Sequence, residues 1–366
     1  ISDELLNITL LVPENFATIQ EAIDYSIDGD TILVSAGTYY ENINFNGKNI
    51  ALIGEDRETT IIDGGGTGSV VIGIDLENTY LRSLTLQNGS GSNHEGYIVG
   101  GGLYINNSTI HLEDINISNN TSNSDGGAIY CDNLSNLNLN NVMINNNNSY
   151  SWGGAISCHN SILNITNGII KNNSCLDAVE VGISGHGGGI YLGNSSESTL
   201  YRVAMYNNAG RHGGGISLRE NSIINLENVT VSKNISDDGD GIRLDGSSTA
   251  QIINSIIWDQ VNNYSGQVIA TYSNIQGDFS GIGNLNVNPL FVDYNNYDFN
   301  LQPSSESIDT GDPNSPFDLD GTRADMGAYP FFQIPGCIDS LATNFNEEAN
   351  INDGSCEYPD NGDYSL

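Results

Sequence analysis

GGGLYI, at residues 100–105, is the first of six nearly identical phrases in this chain. The others are GGAIYC at 126–131, GGAISC at 153–158, GGGIYL at 187–192, GGGISL at 213–218 and GDGIRL at 239–244. Their starts are separated by 26, 27, 34, 26 and 26 residues. A period in this range indicates a solenoid, in which each repeat stacks only on its neighbours.

Apolar residues alternate within each phrase, so that Ile129 and Cys131 share one side and Tyr130 takes the other. A second alternating run follows, and each unit closes on asparagines, which suit tight turns. An alternation with a period of two residues predicts β-strands within the repeats and no helix there. We therefore expect an all-β chain, a right-handed parallel β-helix of about ten coils.

Equivalent positions of successive coils should form ladders along the axis. The inward ladder is predicted to contain Ile105, Cys131, Cys158, Leu192, Leu218 and Leu244. Residues 16–26 carry apolar residues at helical spacing and should form a helix that caps the first coil. We assign residues 1–30 to this N-terminal segment, 31–332 to the β-helix and 333–366 to a C-terminal module with the start of a linker.

Three stretches resemble known families. VPENFATIQEAIDYSIDGDTILVSAGTYYENI at 12–43 is similar to the N-terminal end of pectin-lyase-like right-handed β-helix proteins. The GG(A/G)I units resemble the repeats of polymorphic outer-membrane proteins, and residues 272–329 resemble the closing coils of secreted bacterial β-helix proteins. These families include lyases, glycosidases, esterases and adhesins, so the resemblance implies the fold and leaves the activity open.

The segment GCIDSLATNFNEEANINDGSCEY, at 336–358, resembles a small cysteine-bracketed spacer module of secreted proteins. Cys337 and Cys356 should form a disulfide, because a module with so few apolar residues needs a covalent staple. Cys131 and Cys158 occupy an apolar ladder, and we expect two buried thiols there.

The composition is strongly acidic, with 45 acidic against 10 basic residues and a net charge of −35. This charge disfavours nucleic acid and anionic membranes as partners and favours cations. No run reaches transmembrane length, and the sequence suits a mature secreted or cell-surface chain. Candidate N-glycosylation sequons fit that location; they include Asn107, Asn116, Asn164, Asn228 and Asn263.

One repeat is about eight residues longer than its neighbours, and its excess lies at 175–186. It ends at His186, and His212 and Asp238 take the equivalent place in the next two coils. Two imidazoles one coil apart could share a metal or act as acid and base. Arg211 joins the candidate catalytic group, and the candidate binding residues are Tyr191, Arg219, Asp240 and Arg243. A polar corner facing water is the competing interpretation.

Enzyme signatures are incomplete. The GHG at 185–187 resembles that of polygalacturonases, but the paired acids Asp237 and Asp238 follow it, whereas in those enzymes they precede it. Calcium has stronger candidates, because carboxylates at alternate positions around a glycine are ligands that this ion prefers. These candidates are Asp318, Asp320 and Asp325 in DLDGTRAD, and Asp339, Asn344, Asn346, Asn352 and Asp353 in the tail.

These observations favour a secreted or cell-surface β-helix module with an adhesive or structural role that contacts polysaccharide. One alternative is a polysaccharide lyase or glycoside hydrolase that acts at His186, His212 and Asp238. A second alternative is a subunit of an extracellular filament that associates end to end.

Overall fold

The computed structural model describes residues 7–175, 185–277 and 279–358. It confirms the predicted fold class: an all-β parallel β-helix with an N-terminal helical cap and a disulfide-stapled C-terminal module.

The longest sheet runs the length of the rod with one strand from each coil in parallel register. Its main row contains Thr9–Val12, Thr31–Val34, Ala51–Gly54, Thr79–Gln87, Thr109–Ser118, Asn136–Asn145, Ile162–Lys171, Glu197–Tyr206, Ile223–Glu227, Thr249–Ile253 and Gln267–Thr271. Shorter strands continue it round the coil, and they are Gly37–Tyr40, Thr60–Asp63, Thr230–Ser232, Ile256–Trp258 and Asn274–Ile275. We call this the long sheet.

A second sheet is built from the six phrases and their neighbours. It contains Ile43–Asn44, Val71–Ile74, Leu103–Asn106, Ile129–Asp132, Ile156–His159, Ile190–Gly193, Ile216–Leu218, Ile242–Leu244 and Val261–Asn263. A third sheet contains Thr121–Ser122, Asn148–Ser149, Ser174–Cys175 and Ala209–Gly210. The second sheet follows the corner at which the first glycine of each phrase has positive φ, for example 64° at Gly126 and 71° at Gly187. Glycine adopts this conformation without the strain that a Cβ would bring.

The inward ladder is confirmed in register. Ile105 pairs with Cys131, Cys158 with Leu192 and Leu218 with Leu244, and all are fully buried. The expectation of two free thiols is wrong, because Cys131 and Cys158 form a disulfide between adjacent coils. Their Cα atoms are 4.8 Å apart, within the range that a disulfide spans, so the stacking distance of the coils permits the bond.

A ladder of buried asparagines runs along the axis, beside the glycines of the phrases. Each side chain donates from Nδ2 to the Oδ1 of the next, at 3.0 Å from Asn120 to Asn147 and at 2.9 Å from Asn147 to Asn173. The ladder continues through Asn208 and Asn234 and ends at Asp259. An aspartate suits the last position because it accepts hydrogen bonds and leaves no amide donor unpaired.

The capping helix is observed at Ile19–Tyr25, inside the predicted range of 16–26. Thr18 caps its N-terminus in a reciprocal capping box with Glu21, and Ile19, Ala22 and Ile23 are buried against the first coils. The strand Thr9–Val12 lies before this helix and pairs with Thr31–Val34, so the ladder starts upstream of residue 31, where we expected the first coil.

The closing segment folds back against the last coils and then leads to the module. It has an antiparallel pair, Phe291–Asp293 with Asp298–Leu301, joined by a 3₁₀ turn at Tyr294–Asn296. Its apolar side chains pack on Ile256. In the module, Pro335–Gly336 pairs with Ile351–Asn352, and the predicted disulfide between Cys337 and Cys356 is present.

Candidate functional site

The outer face of the long sheet carries a column of polar side chains, one per coil. Each residue is in register with the next, and we name this set the amide column: Tyr80, His111, Asn138, Asn164, Thr199, Asn225 and Gln251. Each is at least partly exposed. The column contains no acidic residue, although the chain has 45 of them. Burial lowers the pKa of His111, so the column is uncharged at neutral pH.

An open groove of about 460 Å³ is lined by the first four members of the amide column together with Leu112, Glu113, Leu139, Asn140 and Thr166. At its end the rings of Tyr80 and His111 stack, with centroids 4.6 Å apart and planes at 14°. Tyr80 is 44% exposed, so its ring remains available to a ligand. Asn164 donates to Asn138 at 3.0 Å, which holds both amides in fixed orientations. The groove thus offers an aromatic platform followed by ordered amide donors and acceptors.

The predicted corner ladder of the second sheet is present. Trp152 is bridged to His186, His186 to His212 and His212 to Asp238, each in parallel register. The two imidazole centroids are 4.7 Å apart. The corner ladder thus consists of Trp152, His186, His212 and Asp238. We call this ladder, together with the outward side chains of the second sheet, the imidazole face.

Asp238 is held by four donors. Its Oδ1 accepts from Tyr264 Oη at 2.6 Å and from Asn262 Nδ2 at 2.7 Å. Its Oδ2 lies 3.2 Å from His212 Nδ1 and 3.3 Å from Arg243 Nε. Burial alone would raise the pKa of Asp238, but these donors outweigh it and lower the pKa. Asp238 therefore orients His212 and stays ionised, which makes it unsuited to act as a general acid.

His186 lies behind His212 and is 6% exposed. Burial, reinforced by the positive charges of His212, Arg219 and Arg243, lowers its pKa to about 3. His186 is therefore neutral at pH 7. The pKa of His212 is also lowered, first by burial and then by Arg243, although Asp238 opposes the shift.

Sequence reasoning missed a second part of the imidazole face. His94, from the hairpin Ser92–His94 and Tyr97–Val99, lies with Nδ1 2.8 Å from Tyr104 Oη and Nε2 3.3 Å from Asp132. Tyr130 Oη donates to the same carboxylate at 3.1 Å. The signal that the sequence offered for this part of the face was the pair Tyr104 and Tyr130, which take equivalent places in successive phrases. Both are nearly buried.

His159 is buried, with 6% of the residue exposed. Its Nε2 lies 3.0 Å from Ser157 Oγ and 3.7 Å from Asp125 Oδ2. Burial lowers the pKa of His159 to about 4 and raises that of Asp125 to about 6. The burial of His159 has a simple cause, because it ends a strand whose outer surface is covered by the rings of Trp152 and Tyr191.

The other predicted residues lie on or beside the imidazole face. Tyr191 is 1% exposed and stacks on Trp152, with ring centroids 4.9 Å apart. Arg211 is exposed, Arg219 is half-buried, and Asp240 Oδ1 accepts from Ser236 N at 2.8 Å. Residues 176–184 of the long insertion, which we expected to border a site, lie outside the described residues.

The calcium candidates of the closing segment accept hydrogen bonds from backbone amides. Asp318 accepts from Asp325 N at 2.8 Å, Asp325 from Phe331 N at 2.6 Å and Asp320 from Gln333 N at 2.8 Å. Burial, with repulsion from Asp318 and Asp309, raises the pKa of Asp325 to about 7. Burial also raises the pKa of Asp318.

The candidates of the tail form local turns. Asp339, Asn346, Asn352 and Asp353 each accept from a backbone amide two residues ahead, and Asn344 bonds to the backbone of residues 355 and 357. Among the residues described, no three His, Cys, Asp or Glu side chains are grouped so that they could hold a metal ion. Calcium at either place stays a prediction.

The five sequons differ in access. Asn107 and Asn263 are exposed, and Asn116 and Asn164 are half-buried. Asn228 donates from Nδ2 to the carbonyl of Asp325 at 2.9 Å, so a glycan there would displace the closing segment. Glycosylation stays a prediction. In the part of the chain that is described, no helix has the length and apolarity needed to cross a membrane.

Two segments, residues 114–132 and 141–159, match the repeat of the Chlamydia polymorphic membrane protein family. The resemblance of the GG(A/G)I units to such repeats is confirmed for these segments. A metabotropic glutamate receptor-like protein P of Dictyostelium discoideum is 30% identical over 96 residues, which are 26% of this chain and 7% of that protein. The match thus spans only a small part of that relative's length.

Solved β-helix structures are similar to this chain at low identity. Pectate lyase Pel9A is 16% identical, with 89% of this chain and 96% of that one covered and a TM-score of 0.47. A pectin methylesterase from carrot is 15% identical, with 74% and 85% covered and a TM-score of 0.36. The fold assignment rests on the strand register described above.

Proposed function

We propose that this chain is a cell-surface or secreted β-helix module that adheres to a polysaccharide through the amide column. The observation that supports this most directly is an uncharged, at least partly exposed column over seven coils, on a chain of net charge −35. The match to the polymorphic membrane protein repeat supports a surface location.

The chemistry of the column favours a neutral glycan. Amide groups both donate and accept, as sugar hydroxyls do, and the Tyr80 ring can pack against the apolar face of a sugar. Coils recur at roughly 4.8 Å, so an extended glycan lying along the axis meets one polar side chain per coil. The acidic remainder of the surface repels anionic polysaccharides.

The test is binding to a panel of neutral polysaccharides, with cellulose, xylan and mannan oligosaccharides as soluble probes. Tyr80→Ala should weaken binding of the best probe by about tenfold, because it removes the stacking platform. Tyr97→Ala is the matched control, since Tyr97 is 64% exposed on the hairpin, away from the column. Equal losses in both variants, or no binding to any neutral glycan, would contradict the proposal.

A second candidate function is hydrolysis or elimination on a polysaccharide at the imidazole face. The observation that favours it is the pairing of His212 Nδ1 with Asp238 at 3.2 Å, which leaves Nε2 to act as a base. If the intact chain releases new chain ends from a polysaccharide, His212→Ala should reduce the rate roughly 10²–10⁴-fold. Tyr40→Ala is the control, because Tyr40 is 78% exposed and lies in neither proposed site. No release of chain ends by the intact chain would remove this candidate.

For the same module we also propose calcium binding, end-to-end association into a filament, and glycosylation at sequons other than Asn164, whose amide belongs to the amide column. Burial, followed by repulsion from neighbouring carboxylates, raises the pKa of Asp318 and Asp325, and a divalent cation would offset that repulsion.

A further inference from the structure

Unsatisfied hydrogen-bonding groups are concentrated at one place on the imidazole face. Nine buried side-chain nitrogen or oxygen atoms of the described residues lack a hydrogen-bond partner. Three of them are His186 Nδ1, Ser217 Oγ and Arg243 Nη1. Buried polar groups are nearly always paired in folded proteins, so a cluster of three calls for a ligand or water.

These residues are neighbours through the coil register. Ser217 pairs with Tyr191 on one side and with Arg243 on the other, and His186 is bridged to His212. Ser217 is fully buried and His186 is 6% exposed, so both unpaired groups are set inside the face.

Two arginines lie here, on an otherwise acidic rod and beside the carboxylates of Asp238 and Asp245. Arg243 uses Nη2 for Asp245, at 2.9 Å, and Nε for Asp238, at 3.3 Å, and its Nη1 has no hydrogen bond to a described residue. Arg219, half-buried on the same coil as Ser217, forms no salt bridge with any described residue. The carboxylate of Asp238 is already held by four donors.

We propose that His186, Ser217, Arg219 and Arg243 form a binding site for one oxyanion group, the carboxylate, sulfate or phosphate of a larger ligand. Arginine presents donors in a fork that fits such groups, and the hydroxyl and the neutral imidazole add shorter-range donors. The site lies on the second sheet, and the amide column lies on the long sheet, so either proposal can fail without the other.

Trp152 provides a reporter, because it is bridged to His186 and stacks on Tyr191. The chain has two tryptophans, so a Trp258→Phe background leaves Trp152 as the source of the signal. The probes are inorganic sulfate, inorganic phosphate and glucuronate, each titrated at constant ionic strength. We expect a saturable change in fluorescence with at least one of them, and the tightest probe identifies the chemistry.

Arg219→Gln should weaken that binding by at least about tenfold, since it removes a charge-assisted hydrogen bond. It breaks no salt bridge to a described residue, so an unchanged melting temperature is expected and is measured alongside. Arg82→Gln is the matched control, because Arg82 lies on the long sheet in an exposed pair with Glu113. The proposal is overturned if no probe saturates, if Arg219→Gln binds as the parent does, or if Arg82→Gln weakens binding equally.

Discussion

Asn173→Leu should lower the free energy of unfolding by about 2–6 kcal/mol, because at least two buried polar groups lose a hydrogen-bond partner at about 1–3 kcal/mol each. The Asn173 side chain accepts from the backbone N and the Nδ2 of Asn147, at 3.0 and 2.9 Å. It donates to the carbonyls of Ile144 and Lys171 and to Asn208 Oδ1. Leucine has a similar volume and replaces none of these bonds.

The measurement is urea unfolding followed by circular dichroism. Asn225→Leu is the matched control, since Asn225 is a half-buried member of the amide column whose side chain makes no hydrogen bond to a described residue. That change should alter stability by less than about 0.5 kcal/mol. Similar losses in the two variants would mean that the buried ladder contributes no more than a surface amide.

Gly154→Ala should lower the free energy of unfolding by more than about 3 kcal/mol. A Cβ at this corner would overlap the carbonyl oxygen of Gly188 in the next coil and lie 2.6 Å from the carbonyl carbon of Ser174. Both contacts are with backbone, so no side chain can rotate to make room. Because each coil stacks only on its neighbours, the displacement would open the rod at this interface.

Gly37→Ala is the control for the same chemical change. A Cβ there would lie 3.5 Å from the ring of Tyr39, an ordinary contact, and Gly37 does not have positive φ. This variant should melt within a few degrees of the parent. If Gly154→Ala melts at the same temperature as Gly37→Ala, the backbone at this corner can move more easily than its close contacts imply.

The sequence by itself determined the coil. Six phrases with nearly constant spacing predict the stacked strands, and the alternation inside each phrase predicts the fully buried ladder from Ile105 to Leu244. These features depend on local periodicity, which the chain states directly. The capping helix follows for the same reason, because Ile19, Ala22 and Ile23 share one helical face.

The corner ladder of His186, His212 and Asp238 was also predictable, since residues at the same place in successive coils must stack. The chemical behaviour of these three residues could not be predicted from the sequence. Asp238 accepts hydrogen bonds from Tyr264 and Asn262, and these bonds are contacts between different coils. Burial, which sets the pKa of His186, depends on everything packed around it.

Only the tertiary structure decided how side chains on different coils and elements meet. It joined Cys131 to Cys158, buried His159 and brought His94 from a hairpin to Asp132. It also showed that the aspartates of the closing segment hold backbone amides. A periodic sequence specifies which residues stack, because stacking follows from register alone. The hydrogen-bond partners of a side chain depend on its rotamer and on the residues that pack over it, and the spacing of the repeats encodes neither.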